Sequence, residues 1–112
     1  MKLVSWNCRG VGNPSKVKAI SDLLKMENLD LLMIQETKLE EKQFLTYGDK
    51  KWEKKDGIVV SARRASGGLA TLWSENTFSV LNSFATQHWI FTELTHKKSG
   101  LNFSLFNIYA PN

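Results

Sequence analysis

The sequence contains a single cysteine, Cys8, among its 112 residues. One cysteine cannot form an intramolecular disulfide, so nothing in the sequence points to an oxidising compartment. The two histidines, His88 and His96, lie far from Cys8 along the chain, which leaves the thiol without an obvious base for nucleophilic chemistry. We therefore expect Cys8 to be a small buried side chain.

Long apolar runs are also absent from the sequence. No stretch approaches the roughly twenty apolar residues that a membrane-spanning helix needs. At the N-terminus the apolar residues meet Asn7 and Arg9 too early for a signal peptide. We therefore expect an intracellular protein without a membrane partner, located in the nucleus if it acts on DNA.

The sequence does contain enough apolar material for one core. Hydrophobic residues make up 42% of the chain and aromatic residues 11%, which excludes a disordered tail. At 112 residues the chain forms one domain at most. The formal net charge of +4 permits a polyanionic partner such as nucleic acid but does not require one.

The first third of the sequence predicts a strand, a helix and a second strand. Residues 2–6 are predicted to form a short strand that breaks in the glycine-containing segment 7–12. Asn13 then suits a helix N-cap and Pro14 the first helical position. We expect the helix to end near residues 27–28. Its apolar residues recur at spacings of three and four, as in an amphipathic helix: Val17, Ile20, Leu23 and Leu24.

The apolar run at residues 29–34 predicts the second strand, buried on both faces. If the two strands are parallel neighbours, Asn7 and Glu36 lie at carboxyl ends on one edge of the sheet, where ligand sites of parallel sheets form. An amide oxygen and a carboxylate are a reasonable half-site for Mg²⁺, which keeps several of its waters. The alternative is that Glu36 is a solvated charge at a strand end.

The second half of the sequence predicts antiparallel strands. We expect the charged segment 38–56, with its interleaved aromatic residues, to be a short helix or an irregular segment that covers a sheet edge. From residue 57 onward, turn signals separate five short strands that would form a meander added to the parallel unit. Their predicted ranges are 57–62, 68–73, 77–81, 89–95 and 101–110.

The last predicted strand runs to the C-terminus with no element after it. A sheet that ends in this way has an open edge and an uncovered face, so we expect the chain to be part of a larger domain. Because of this uncovered face, we also expect poor solubility and several partly exposed apolar side chains. These are Leu69, Leu72, Ile90, Leu94, Phe103 and Leu105.

Four segments, taken in order, resemble motifs of one enzyme superfamily. They are Ser-Trp-Asn-Cys-Arg-Gly (5–10), Ile-Gln-Glu-Thr-Lys (34–38), Ser-Gly-Gly-Leu-Ala (66–70) and Asn-Ile-Tyr-Ala-Pro-Asn (107–112). Their order and approximate spacing resemble the exonuclease–endonuclease–phosphatase superfamily, and the set is specific although each segment alone is weak. The first and last segments look most like plant LINE-type retrotransposon endonucleases, which are relatives of apurinic/apyrimidinic endonucleases.

The resemblance implies an α/β fold of mixed α+β character: a partial four-layer α/β sandwich, with two mixed sheets packed face to face and helices outside. It covers essentially the whole chain but about half of the family's domain, so residues 1–112 would be an N-terminal portion whose C-terminal half is missing. It also implies hydrolysis of a nucleic-acid phosphodiester with Mg²⁺, or alternatively Mn²⁺, as cofactor. DNA would be the partner, and RNA the alternative.

The resemblance implies roles for five residues. Asn7 would match the active-site asparagine, Glu36 the metal-binding glutamate, and Tyr109 the tyrosine that lies against the scissile phosphate. Asn112 would match an asparagine near the nucleic-acid backbone. Arg9 stands where some relatives carry an acid, and here it would more naturally meet a phosphate. Judged from the residues alone, Tyr109 is equally consistent with a core aromatic.

The family's later motifs carry an Asp-x-Asn pair, a further aspartate and a histidine paired with an aspartate, and none can be placed in this sequence. We therefore expect no cleavage of DNA by these 112 residues alone. His88 and His96 lie between the second and third motifs and are not assigned to that role. The alternatives are a lipid or small-molecule phosphatase of the same superfamily, and a non-catalytic remnant that binds nucleic acid weakly. The remnant would use five basic residues: Arg9, Arg63, Arg64, Lys97 and Lys98.

Overall fold

The structure is a computed structural model that describes residues 1–10, 14–25, 29–38, 55–62 and 67–109. Within these ranges the chain forms one helix and seven strands. In chain order they are β1 (Lys2–Asn7), α1 (Pro14–Leu24), β2 (Leu29–Gln35), β3 (Lys55–Val60), β4 (Leu69–Ser74), β5 (Phe78–Ala85), β6 (Trp89–His96) and β7 (Asn102–Ile108). Most of the predicted edge-covering segment 38–56 lies outside the described residues.

The strands form two sheets. Sheet I has the order β1-β2-β4-β3, and sheet II has the order β5-β6-β7. The strands β1 and β2 are parallel, which confirms the predicted strand–helix–strand unit, and the other pairs are antiparallel. The prediction of one five-stranded meander is wrong, because the β3–β4 hairpin pairs with β2 instead of β5. The residues of β4 are buried at five successive positions, and such a strand needs a central place in a sheet covered on both sides.

Sheet I has both faces covered. On one face α1 packs through Ile20, while its Lys18–Asp22 ion pair, at 3.1 Å, lies on the solvent side. The buried cluster on this face consists of Cys8, Ile20, Leu29, Leu32, Ile34, Ala70 and Leu72. The opposite face packs on sheet II through a second cluster, made of Leu31, Trp73, Phe78 and Leu94. The described residues are thus layered as helix, sheet I and sheet II.

Most of the apolar side chains that the sequence predicted to be partly exposed are buried. Because both sheets are represented in this chain and pack against each other, Leu69, Leu72, Ile90 and Leu94 are buried, and Phe103 and Leu105 are half-buried. The expected partial exposure is therefore wrong for the first four side chains, and it is confirmed for Phe103 and Leu105. The exposed apolar residues of sheet II include Phe84, Phe106 and Ile108, which lie on its outer face. The fold class is confirmed as a partial α/β sandwich made mostly of strands.

Several element boundaries differ from the prediction, among them the end of the helix and the end of β5. The helix ends at Leu24, about one turn earlier than expected. Strand β5 continues to Ala85 instead of ending at residue 81, because a bulge between Val80 and Asn82 adds one residue and breaks the period-two pattern of the sequence. In the part of the chain that the structure describes, no helix is long and apolar enough to cross a membrane.

Candidate functional site

The parallel strands β1 and β2 end side by side at one edge of sheet I. Asn7, the last residue of β1, pairs with Gln35, the last residue of β2, and Glu36 follows directly. The turn after β1 is bonded to the same segment: the Cys8 amide donates to Gln35 O at 3.1 Å and the Gly10 amide to Glu36 O at 2.6 Å. The predicted meeting of Asn7 and Glu36 at one edge is therefore found.

The turn after β1 fixes Asn7 and Arg9. Both side chains are exposed, and Asn7 Oδ1 accepts a hydrogen bond from the Arg9 amide at 3.2 Å. Gly10 has a φ of +96°, and a Cβ there would come within 3.1 Å of the Lys38 side chain, so glycine suits this close approach. Arg9 thus lies on the solvent side of the same edge, where it can meet an anion.

Left-handed backbone is concentrated at this edge. Among the described residues other than glycine, those with positive φ are Arg9, Glu36 and Lys38, with φ between 53° and 57°. An L-residue in this conformation costs on the order of 1 kcal/mol. Such strain persists only where the surroundings impose it, and it is common at functional sites. The backbone on either side of the half-buried Glu36 is therefore closely constrained.

Residues 37 and 38 are held by the glycine pair that precedes β4. The Thr37 amide donates to Gly68 O at 3.1 Å and the Lys38 amide to Gly67 O at 2.8 Å. Thr37 is fully buried, and a Cβ on Gly68 would collide with its Oγ1. The glycines of the predicted 66–70 motif thus allow β4 to approach the segment that carries Glu36.

Tyr109 reaches the same edge from sheet II. Its amide donates to His88 O at 2.7 Å, and the two rings are nearly parallel, with an interplanar angle of 12° and centroids 6.3 Å apart. A Cβ on Gly67 would lie 3.4 Å from the Tyr109 ring, so the half-buried tyrosine lies beside the glycine that bonds to Lys38. The elements that carry Asn7, Glu36 and Tyr109 thus converge.

A buried asparagine connects the two sheets directly below this edge. Asn107 is 2% exposed, and its Oδ1 accepts a hydrogen bond of 2.7 Å from Gln35 Nε2. Its Nδ2 donates to Ala70 O at 2.9 Å and to Thr71 Oγ1 at 3.2 Å. Because Gln35 precedes Glu36 and Asn107 is two residues before Tyr109, this network fixes the two candidate residues relative to each other.

Neither Asn107 nor His88 has a role in the site predicted from the sequence. A signal for Asn107 was present, because it occupies the same face of β7 as Phe103 and Leu105, and a polar residue in that register must find buried partners. The residues around His88 in the sequence do not predict its contact with Tyr109, because that contact depends on the pairing of β6 with β7.

The remaining predicted residues divide into two groups. Asn112, Arg63 and Arg64 lie outside the described residues. Lys97 lies at the opposite end of the sandwich from Arg9: its amide bonds to Thr77 O, and Thr77 in turn donates to Asp30 at the start of β2. The proposed basic set is therefore not one continuous patch, because its described members occupy opposite ends of the molecule.

At this edge, Glu36 and the amide oxygen of Asn7 are the side-chain groups that could hold a metal ion. Within the described ranges, no group of three or more His, Cys, Asp or Glu side chains could hold a metal ion. A structural zinc site needs four such ligands. Mg²⁺ commonly takes one or two carboxylates and completes its shell with water and substrate oxygens, which Glu36 and the amide of Asn7 can accommodate.

A family profile shows the family of this chain, and two solved structures have a similar fold. The sequence matches the profile described as the Endonuclease/Exonuclease/phosphatase family over residues 4–110. The fold is similar to the crystal structure of the AP endonuclease LMAP from Leishmania major, with 19% identity, a TM-score of 0.67, and coverage of 98% of this chain and 40% of that chain. It is also similar to the APE2 catalytic domain from Xenopus laevis, with 16% identity, a TM-score of 0.67, and coverage of 100% and 46%.

The chain spans less than half the length of either of these solved structures. At such low identity the likeness concerns the fold. No curated protein sequence matches the chain.

Proposed function

Because this chain belongs to the endonuclease/exonuclease/phosphatase family, we propose that it is the N-terminal part of a magnesium-dependent DNA endonuclease of the LINE retrotransposon type. The members of this superfamily are nucleases and phosphodiesterases, so the proposed reaction is a hydrolysis. The observation that carries the proposal is the convergence of the segments bearing Asn7, Glu36 and Tyr109 on one edge of the sandwich. The two similar structures are AP endonucleases, which supports DNA as the substrate class.

In this proposal Glu36 would supply the anionic ligand for Mg²⁺, and Asn7, at the neighbouring strand end, would supply an amide oxygen. When bound, the metal would polarise a phosphoryl oxygen and lower the pKa of a coordinated water. Tyr109 and the amide of Asn7 each donate a hydrogen bond to a phosphate oxygen. Neither group adds negative charge near the phosphate. Arg9, exposed at the same edge, pairs with a neighbouring phosphate. The role of Asn112 near the nucleic-acid backbone stays a prediction.

The finer assignment rests on the residues of two motifs. The forms Trp-Asn-Cys-Arg-Gly and Tyr-Ala-Pro-Asn favour a LINE-type enzyme over a phosphatase, and a DNA substrate would place the protein in the nucleus. The weak-binding remnant has less support, because Arg9 and Lys97 lie at opposite ends of the sandwich. RNA and Mn²⁺ are the alternative substrate and cofactor.

The metal site is tested by titrating the chain with Mn²⁺ and recording paramagnetic broadening of backbone amide signals. We expect broadening around Asn7 and Glu36 that disappears in Glu36→Gln. The matched control is Glu75→Gln, because Glu75 is an exposed carboxylate in the turn between β4 and β5. Broadening that is unchanged in Glu36→Gln would remove Glu36 as the ligand and with it the proposed site.

The reaction is tested by nicking of supercoiled plasmid DNA in Mg²⁺. We expect the 112-residue chain and its Glu36→Ala variant to nick the plasmid at the same background rate. The reason is that no residue among those described at the edge is assigned as the base. Nicking by the wild-type chain that Glu36→Ala abolishes would contradict this expectation and support the endonuclease. Cleavage of a phosphoinositide but not of abasic DNA by a full-length relative would favour the phosphatase.

A further inference from the structure

The ring of Tyr109 contacts the ring of His88, which lies in the turn that joins β5 to β6. The two rings are nearly parallel, with an interplanar angle of 12° and centroids 6.3 Å apart. Aromatic rings favour such an offset-stacked arrangement, which contributes to stability beyond the area that it buries. The two main chains are joined as well, because the Tyr109 amide donates to His88 O at 2.7 Å. His88 therefore contacts Tyr109 through both its backbone and its side chain.

The turn that carries His88 is held by Thr86 and Gln87. The Thr86 hydroxyl accepts hydrogen bonds of 3.2 Å from the amides of both His88 and Trp89, and the Thr86 amide donates to Trp89 O at 2.8 Å. A hydroxyl that bonds two successive amides fixes a turn locally. Gln87 Nε2 donates at 3.0 Å to the backbone oxygen of Ser61, the residue that follows β3. The position of His88 is therefore set by contacts with both sheets.

The ring of Tyr109 depends on its neighbours for its orientation. Strand β7 ends at Ile108, and the hydrogen bond to His88 O fixes the main chain of Tyr109 but leaves two side-chain torsions free. On the side of sheet I the ring lies beside Gly67, which has no side chain to pack on it. Among the described residues, the stacked ring that Tyr109 meets is that of His88. The direction of the phenol group should therefore depend on the imidazole.

We propose that His88 is a positioning residue for Tyr109, and that its ring keeps the phenol ring in the orientation that a phosphate at the candidate site would meet. This inference rests on the proposed function, in which Tyr109 donates a hydrogen bond to a phosphate oxygen. Such a bond forms over about 2.5–3.0 Å, so a hydroxyl displaced by about 1 Å loses it. The imidazole acts through the tyrosine and does not itself bind the substrate.

Two other roles for His88 predict different results. If His88 were only a turn residue, removing its ring would leave the ring of Tyr109 unchanged. If the imidazole itself bonded to a phosphate, a ring without nitrogen could not replace it. A positioning role requires a ring but no ring nitrogen, so phenylalanine should substitute for histidine and alanine should not.

The test follows the Tyr109 ring by NMR in the 112-residue chain with isotopically labelled tyrosine. Tyr47 is the only other tyrosine, so Tyr47→Phe assigns the signals. In His88→Ala we expect the Tyr109 ring signals to shift and the cross-relaxation between the ring and the Gly67 protons to be lost. His88→Phe should retain that cross-relaxation. The matched control is His96→Ala, which should change neither readout, because His96 lies at the other end of β6, roughly 25 Å away.

A second measurement concerns binding. A short DNA duplex in Mg²⁺ is titrated into each variant, and the dissociation constant is read from the changes in the Tyr109 ring signals. In His88→Ala the dissociation constant should rise by about 2- to 10-fold, the range that one aromatic pair contributes. In His88→Phe and His96→Ala it should equal that of the wild-type chain.

The two measurements separate a failure of this inference from a failure of the proposed function. An unchanged Tyr109 ring in His88→Ala overturns the inference whether or not DNA binds. Weaker DNA binding in His88→Phe with an unchanged ring also overturns it, because the imidazole would then contact the phosphate itself. A ring that moves in His88→Ala, with wild-type Tyr109 signals that do not respond to DNA, supports the positioning by His88 and counts against the proposed function.

A further variant keeps the test decisive if circular dichroism shows that His88→Ala does not fold. Thr86→Val removes the hydroxyl that accepts from the His88 and Trp89 amides and keeps the shape of the side chain. The loosened turn should weaken the cross-relaxation between the Tyr109 ring and Gly67. Full cross-relaxation in Thr86→Val would overturn the inference.

Discussion

The two sheets of this protein bury their residues in different ways. Sheet I lies between α1 and sheet II, so β4 is buried at five of its six positions and β2 at four of seven, with the rest half-buried. Sheet II is covered on its inner face, so the residues of β6 alternate between buried and half-buried. Glu36 follows a strand that is held from both sides, whereas Tyr109 follows one that is held from one side. The precision of the candidate site therefore depends on how firmly the two sheets are joined.

The outer face of sheet I is covered by α1, whereas in the described part of the molecule the outer face of sheet II is open, and substitutions on the two faces should differ most in their cost to stability. Leu32→Ala removes a fully buried side chain beneath α1 and should lower the free energy of unfolding by about 2–5 kcal/mol. Phe106→Ala removes a side chain that is 56% exposed and should cost less than about 1 kcal/mol. Urea denaturation at low protein concentration measures both. Equal losses would mean that the outer face of sheet II is as well covered as that of sheet I.

The next effect concerns the close approach of β4 to the segment that carries Glu36. Gly68→Ala should cost about 3 kcal/mol, because the residue combines a φ of +92° with a collision against Thr37. Gly100→Ala is the control: its φ is +75° and no heavy atom lies within 4 Å of the added Cβ, so only the backbone cost of about 1 kcal/mol applies. Thermal unfolding measures the loss of stability in both variants. Similar losses would contradict the expectation that Gly68→Ala is the more destabilising change.

The hydrogen-bond network that joins the two sheets is tested by replacing Asn107. In Asn107→Leu the Gln35 amide and Ala70 O lose their buried partner, and the expected cost is about 2–3 kcal/mol. We also expect shifts in the backbone amide signals of Glu36 and Tyr109.

The control for Asn107 is Asn102→Leu, which removes an exposed hydrogen bond to Thr95 and should cost less than about 0.5 kcal/mol. Amide spectra and urea denaturation are recorded for both variants. If the signals of Glu36 and Tyr109 stay unchanged in Asn107→Leu, the network below the edge does not position them.

The smallest expected change in stability concerns two buried threonines, Thr71 and Thr92, which lie on the facing inner surfaces of the two sheets. Thr71 accepts a hydrogen bond from Asn107, so Thr71→Val should cost about 1 kcal/mol. Thr92 is equally buried, but among the described residues its hydroxyl has no hydrogen-bond partner, so Thr92→Val should be neutral or stabilising by up to about 1 kcal/mol. Differential scanning calorimetry measures both changes. A loss in Thr92→Val as large as that in Thr71→Val would point to a partner for the Thr92 hydroxyl.

Local patterns predicted the first three elements and the edge where Asn7 and Glu36 meet. Helical spacing, the apolar run of β2 and the geometry of parallel strands depend only on nearby residues. The partner of the β3–β4 hairpin could not be predicted in this way, because pairing with β2 is a contact between distant segments. The positive φ of Glu36 was also beyond reach, since no glycine or asparagine marks that position. The chemical roles of the site residues stay predictions.

The buried thiol of Cys8 makes the edge of the sandwich measurable on its own. Its Sγ lies 3.4 Å from the backbone oxygens of both Gln35 and Glu36, and its residue is 2% exposed. An alkylating reagent can therefore react only when the turn after β1 separates from the end of β2. Since Cys8 is the sole thiol, the labelling rate reports the free energy of that local opening separately from global unfolding. Any ligand that binds across Asn7 and Glu36 should slow the labelling in proportion to its occupancy.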